Sequence, residues 1–152
     1  MSDDSGVAGS RIGQIRILEQ LGAGGMGEVY RGFHELLERP VAVKVIRSEK
    51  RFGSDSRARF LREARLLSKL DHPHICRVYD LIEQQDKEYL VLELIDGQTL
   101  PRSLADGLSH DHKLRIGAQI ADALAAAHEH QVVHRDLKPE NVMLTAAGEV
   151  KV

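Results

Sequence analysis

Three observations predict an α+β chain in which strands come first and helices second. Apolar residues alternate with a period of two over several stretches up to residue 46, the period lengthens to that of a helix near residues 55–70, and a second helical pattern covers residues 109–130. Glycine and proline clusters punctuate these runs as turns. With 152 residues, 42% of them apolar and 29% charged, the composition is that of a globular protein able to bury one modest core.

Each element follows in order. Residues 1–11, MSDDSGVAGSR, hold too few apolar side chains to offset the entropy of ordering them, so a disordered tail is expected. Ile15, Ile17 and Leu21 mark a strand that stops at a glycine cluster and resumes as a second strand over 28–33. Val41, Val43 and Val45 alternate with Ala42, Lys44 and Ile46, which predicts a buried third strand carrying one lysine. Over 55–70, Phe60, Leu61, Ala64 and Leu67 form an apolar stripe with Leu66 and Leu70 beside it. Arg57, Arg59, Arg62, Arg65 and Lys69 take the outer side of this amphipathic helix. His72-Pro73-His74 ends it, because proline disfavours helical backbone in the residue before it. Two further β-type runs, 76–83 and 88–94, flank the polar turn Gln84-Gln85-Asp86-Lys87. After Asp96-Gly97 the pattern is helical. The helix over 109–130 has Ser109 as its N-cap and Asp111 complementing the dipole. Leu114, Ala118, Ala121 and Ala125, with Ile116, Ile120, Ala123, Leu124 and Ala127, make it apolar around most of its circumference, so burial on several sides is expected.

Composition excludes several classes. With 21 Lys+Arg against 23 Asp+Glu the net charge is -2, and no basic field exists to attract nucleic acid or an anionic membrane. A single cysteine, Cys76, excludes a disulfide scaffold and a zinc cluster, and suits a reducing cytosolic compartment. No apolar stretch approaches the ~18–20 residues of a membrane helix, and the start Met1-Ser2-Asp3-Asp4 is not that of a signal peptide. His72-x-His74, His110-x-His112 and His128-x-His130 invite a metal reading. On a helix, however, His-x-His points its rings to nearly opposite faces, and no third ligand stands at conventional spacing.

Three constellations carry chemistry. In Leu21-Gly22-Ala23-Gly24-Gly25-Met26-Gly27-Glu28-Val29, glycines at 22, 24 and 27 would let backbone N–H groups approach phosphate oxygens with no Cβ in the way. Alone the motif is weak, since a flexible hairpin turn uses the same residues. A dinucleotide fold would need a strand-to-helix turn here, whereas the pattern returns to a strand. Lys44, inside an apolar run, needs a counter-charge if it points inward. Glu63, close to the Phe60/Leu67 stripe, is the candidate partner; a snorkelling edge lysine and an exposed Glu63 pairing with nearby arginines are the plainer alternatives. In His134-Arg135-Asp136-Leu137-Lys138-Pro139-Glu140-Asn141, a carboxylate, an ammonium and an amide oxygen share one short loop. Those groups suit an attacking hydroxyl, developing charge and Mg²⁺ in phosphoryl transfer.

Taken together and in this order, Gly22-x-Gly24-x-x-Gly27-x-Val29, Val41-Ala42-Val43-Lys44 and His134-Arg135-Asp136-Leu137-x-x-x-Asn141 resemble the signature set of protein kinases. The likeness runs from about Ile12 to the last residue, and the Gly-Gly-Met-Gly loop is similar to that of bacterial serine/threonine kinases of the eukaryotic type. The resemblance implies a kinase-like fold: an antiparallel five-stranded upper lobe with one helix, a hinge within 12–95, and over 96–152 the start of a helical lower lobe. It implies ATP and Mg²⁺ as cofactors. Gly22, Gly24 and Gly27, with Leu21 and Gly25, would cover the ATP phosphates. Lys44 would contact phosphates and pair with Glu63, and Val29 and Ala42 would hold the adenine from above. Leu92 would be the gatekeeper before a hinge over Glu93 to Ile95, and Met143 would close the pocket from below. Asp136 would be the catalytic base and Asn141 a Mg²⁺ ligand, with Lys138 in a form similar to serine/threonine specificity.

The implied activity is transfer of the ATP γ-phosphoryl group to Ser/Thr hydroxyls of protein substrates in the cytoplasm. The resemblance also allows a kinase-domain dimer and membrane anchoring through a region beyond Val152. In the family, the strand matching Glu149-Val150-Lys151-Val152 leads into Asp-Phe-Gly, which this chain does not reach. The expectation is therefore an N-terminal portion of a kinase domain, inactive as an isolated piece. The alternative is a non-catalytic ATP-binding pseudokinase or truncated regulatory module.

Overall fold

The computed structural model describes residues 7–24, 27–46, 54–133 and 137–152. The chain forms two compact units, Met1–Ala64 with Val78–Leu94, and Arg65–Arg77 with Ile95–Val152.

The first unit is a six-stranded antiparallel sheet of β1 (Arg11–Ile12), β2 (Ile15–Gly24), β3 (Gly27–His34), β4 (Arg39–Ile46), β5 (Val78–Gln84) and β6 (Lys87–Leu92), in the order β1-β2-β3-β4-β6-β5. One strand is added to the expected five because Arg11 and Ile12 fold back on Arg16 and Ile15 across Gly13, whose φ of +55° suits glycine. The expected tail over 1–11 is corrected at its inner end. Gly9 N–H donates to Ile17 O at 2.9 Å and Ile17 N–H to Ser10 O at 3.0 Å, while Val7 packs on the core. Residues 1–6 lie outside the described ones. The period-two reading holds in the middle of the sheet, where Ile15, Ile17, Val41, Val43 and Val91 are each at most 1% exposed. At the start of β4, Arg39 lies 3.8 Å over the Tyr79 ring and closes the end of this core with a cation–π contact.

Helix α1 (Ser54–Leu67) ends earlier than its apolar pattern, because Lys69 and Leu70 N–H turn inward to Leu66 O and Leu67 O at 3.2 and 3.1 Å ahead of His72-Pro73. The 76–83 run is also shortened at its start. Cys76 N–H donates to Val152 O at 3.0 Å and Val152 N–H to His74 O at 2.9 Å, so residues 74–76 pair with the end of the chain rather than with β6.

The second unit packs α2 (Leu100–Asp106) and α3 (His110–Glu129) with a small sheet of β7 (Gly97–Thr99), β8 (Met143–Thr145) and β9 (Val150–Lys151). Ser109 caps α3 by accepting the His112 N–H at 3.2 Å, as expected. Two clusters cover this helix, Leu70, Ile75, Ala123 and Ala127 in one, Ile116, Val142, Leu144 and Val150 in the other. Burial on several sides is not found among the described residues: Leu114, Ala118, Ala121 and Ala125 are exposed. Three of those four are alanines, whose exposure costs little. Over 97–99 the expected helical pattern gives way to a strand, since the Gly97 backbone lies against Leu144; a Cβ there would stand 1.8 Å from Leu144 O.

Candidate active site

In the first unit, strand register assembles the site. β2 has ten residues against eight in β3, and the two register shifts leave Leu18 and Leu21 without a partner across the hairpin. The second shift sets Gly22 opposite Val29; without it Leu21 would stand there. From Val29 the row continues through Lys44 to Leu90, and the next row on the same face sets Ala42 opposite Leu92. Val41, Val43 and Val45 are buried in the core, so alternation sends Ala42 and Lys44 to the opposite face. That face is half-buried: Val29, Lys44, Leu90 and Leu92 are partly covered and Ala42 is buried.

The Lys44 side chain makes no hydrogen bond or ion pair with any described residue. The expected pair with Glu63 is thus not formed in this structure. Glu63 is exposed because the buried line of α1 runs through its neighbour Ala64. Leu21, displaced by the bulge, is exposed as well. Glu93 is half-buried, and the chain passes from the first unit to the second between Leu94 and Ile95. Gly24 and Gly27 pair across the hairpin, while Gly25 lies outside the described residues.

In the second unit, Met143 is half-buried between Thr99 and Lys151 in the small sheet, and its neighbours Val142 and Leu144 are buried on the other side. Ile95 is half-buried. A 3-10 turn over Pro139–Asn141 precedes β8 and is closed by Asn141 N–H donating to Lys138 O at 2.9 Å. Pro139 at its first position fixes the backbone angle that the turn needs. Lys138 and Asn141 are exposed on this turn; Asp136 lies outside the described residues.

Two positioning features went unread in the sequence. Gln119, among the alanines of α3, accepts the Val150 N–H at 2.9 Å and donates to Glu149 at 2.7 Å, fastening β9 to the helix. Asp96 O accepts the Ala146 N–H at 3.0 Å and aligns the start of β7 with β8. The glycine at 97 was the available signal for the second.

The first-unit face fits a nucleotide. Val29, Ala42 and Leu92 offer an apolar surface for a base, and Lys44 is a half-buried cation with no carboxylate of the described residues to neutralise it. A Cβ placed on Gly22 would meet nothing within 4 Å, so the strand above is open.

Residues 15–152 match the family model of the protein kinase domain, and the chain belongs to the protein kinase family. It is similar to the serine/threonine-protein kinase PrkC of Bacillus subtilis (strain 168), 42% identical over 147 residues that make up 95% of this chain and 23% of that protein. It is likewise similar to the serine/threonine-protein kinase pkn2 of Myxococcus xanthus, 43% identical over 140 residues, 90% of this chain and 17% of that one. The Mycobacterium tuberculosis PknI kinase domain has the same fold, with a TM-score of 0.84 and 30% identity over 95% of this chain and 60% of that structure. The chain therefore spans less than a quarter of the length of these two curated relatives.

Proposed function

We propose that this protein is an ATP-dependent serine/threonine protein kinase. The observation that carries the reading is the Val29, Ala42, Lys44 and Leu92 face, an apolar sheet surface holding one cation that no described residue neutralises. The names of the relatives, each a serine/threonine-protein kinase, favour phosphoryl transfer over the non-catalytic alternative.

Bound MgATP supplies the phosphoryl group and the divalent charge. The Lys44 ammonium neutralises phosphate oxygens, and Glu63 would orient it once α1 is turned toward the sheet. The glycine backbone over 22–27 leaves N–H groups free to approach phosphate. The backbone over Glu93 to Ile95 would hydrogen-bond the base, and Met143 would support it. Asn141 would offer its amide oxygen to Mg²⁺, and Lys138 would stabilise charge on the transferring group. Asp136 takes the proton of the Ser/Thr hydroxyl as its oxygen bonds to the γ-phosphorus and the bridging oxygen leaves with ADP.

The substrates are proteins bearing Ser or Thr, and the setting is the cytoplasm, where ATP and a lone reduced cysteine are at home. Among the described residues no helix is long and apolar enough to cross a membrane. Pairing of two kinase domains is part of the proposal; Leu36 and Leu37, 73% and 56% exposed at the tip of the β3–β4 hairpin, support it.

The test is transfer of the γ-phosphoryl group from ATP to a basic Ser/Thr peptide by the complete protein. Asp136→Asn should lower the rate about a thousandfold. A folded variant that keeps the wild-type rate removes Asp136 from the mechanism.

A further inference from the structure

Within the second unit a cavity of about 430 Å³ opens between α2, the first turn of α3 and the β8–β9 turn. Six residues decide its chemistry: Gln98, Ser103, Asp106, Leu108, His112 and Leu144. Its size lies in the range of small-ligand sites. No role described above uses it.

Asp106 is the only carboxylate in the lining, and no lysine or arginine stands there to neutralise it. The Gln98 amide donates to Asp106 Oδ2 at 3.3 Å and leaves Oδ1 without a partner among the described residues. Ser103 is 3% exposed, yet its hydroxyl has no hydrogen-bond partner among the described residues. Among the described residues only Arg39 Nε is both buried and without a hydrogen bond, so the Ser103 hydroxyl is open to the cavity and a ligand can reach it. His112 Nε2 lies 3.4 Å from Gly148 O and closes one wall, which leaves that ring nitrogen occupied. Leu108 and Leu144 supply the apolar side.

We propose that this cavity binds an aliphatic cation, an ammonium or guanidinium group on a short apolar stem. The charged head donates to Asp106 Oδ1 and to the Ser103 hydroxyl oxygen, while the stem lies on Leu108 and Leu144. Charge-assisted hydrogen bonds of this type are the strong ones, and the lining offers no cation of fixed charge to compete. The head group has two sources, a free small amine or an Arg or Lys side chain of a protein.

The experiment is saturation-transfer NMR on the complete protein, with n-butylguanidinium, the uncharged n-butylurea and the peptide acetyl-Leu-Arg-Leu-amide as probes. The guanidinium should give a saturable signal and the urea none. Asp106→Asn should weaken the guanidinium about tenfold and Ser103→Ala by less. Asp111→Asn, a carboxylate outside the cavity, should change nothing. Peptide binding tighter than that of free guanidinium assigns the site to a protein side chain; equal or weaker binding assigns it to a free amine. Equal binding of guanidinium and urea overturns the proposal. So does an Asp106→Asn variant with an unchanged thermal midpoint and undiminished affinity.

Discussion

Each unit holds its own candidate residues by different means. In the first, Val29, Ala42, Lys44 and Leu92 take their direction from strand register; once Val41, Val43 and Val45 are buried, alternation settles the side on which their neighbours stand. In the second, Lys138 and Asn141 stand exposed on a short turn, held by what lies beside it: buried Val142 and the Leu100 N–H bond to Val142 O at 2.8 Å. A sheet positions a whole row of groups cooperatively. A turn depends on a few anchors.

Among the described residues the largest effect should come from the row itself. Lys44→Met is expected to cut kcat/KM for phosphoryl transfer by about a hundredfold or more, with the thermal midpoint unchanged, since the ammonium has no partner among the described residues to lose. A large drop in stability would instead show that the lysine is structural. The second unit should break at an anchor: Gly97→Ala, whose Cβ would meet Leu144 O at 1.8 Å, should cost about 3 kcal/mol in denaturant unfolding. An unchanged midpoint would mean that β7 is dispensable.

A sharper form of the comparison uses opposite faces of neighbouring strands. Val43→Ala, in the fully buried core, should lose about 2 kcal/mol, whereas Val29→Ala should lose under about 1 kcal/mol and weaken nucleotide binding severalfold. Equal stability losses would contradict the assignment of faces. The smallest effect is one of pH. Burial raises the Tyr89 phenol above its ordinary value of 10.0, so the proton leaves more readily in the unfolded chain. The stabilisation is complete below about pH 10 and is lost as pH rises through the folded value; Tyr89→Phe should flatten that decline in unfolding curves measured on either side of it.

Much of this was legible in the sequence where periodicity and burial agree. The alternation around Val41, Val43 and Val45 specified the strand, while the face on which Lys44 stands was left open until the burial of those valines settled it. Ser109 announced the start of α3 through its capping chemistry. Other features left no such trace. β1 is two residues in a Gly/Ser-rich stretch, too short for any period to register. The bulges at Leu18 and Leu21 have no compositional signal, because both residues read as ordinary strand apolars. Glu63 is exposed although it stands next to Ala64 on the Phe60/Leu67 stripe, because neighbouring helical positions are turned about 100° apart and closeness in sequence to an apolar stripe does not bring a side chain onto it. For Lys138 and Asn141 no period exists on a loop, so motif spacing alone carried them.

The most direct measurement is a methyl NMR titration of the complete protein with MgATP. The methyls of Val29, Ala42, Leu92 and Met143 should shift at saturation, while those of Val41 and Val43, buried on the other face, should stay near their free positions. Shifts confined to Val41 and Val43, or saturation that leaves Ala42 and Leu92 unmoved, would contradict the assignment of that face to the nucleotide.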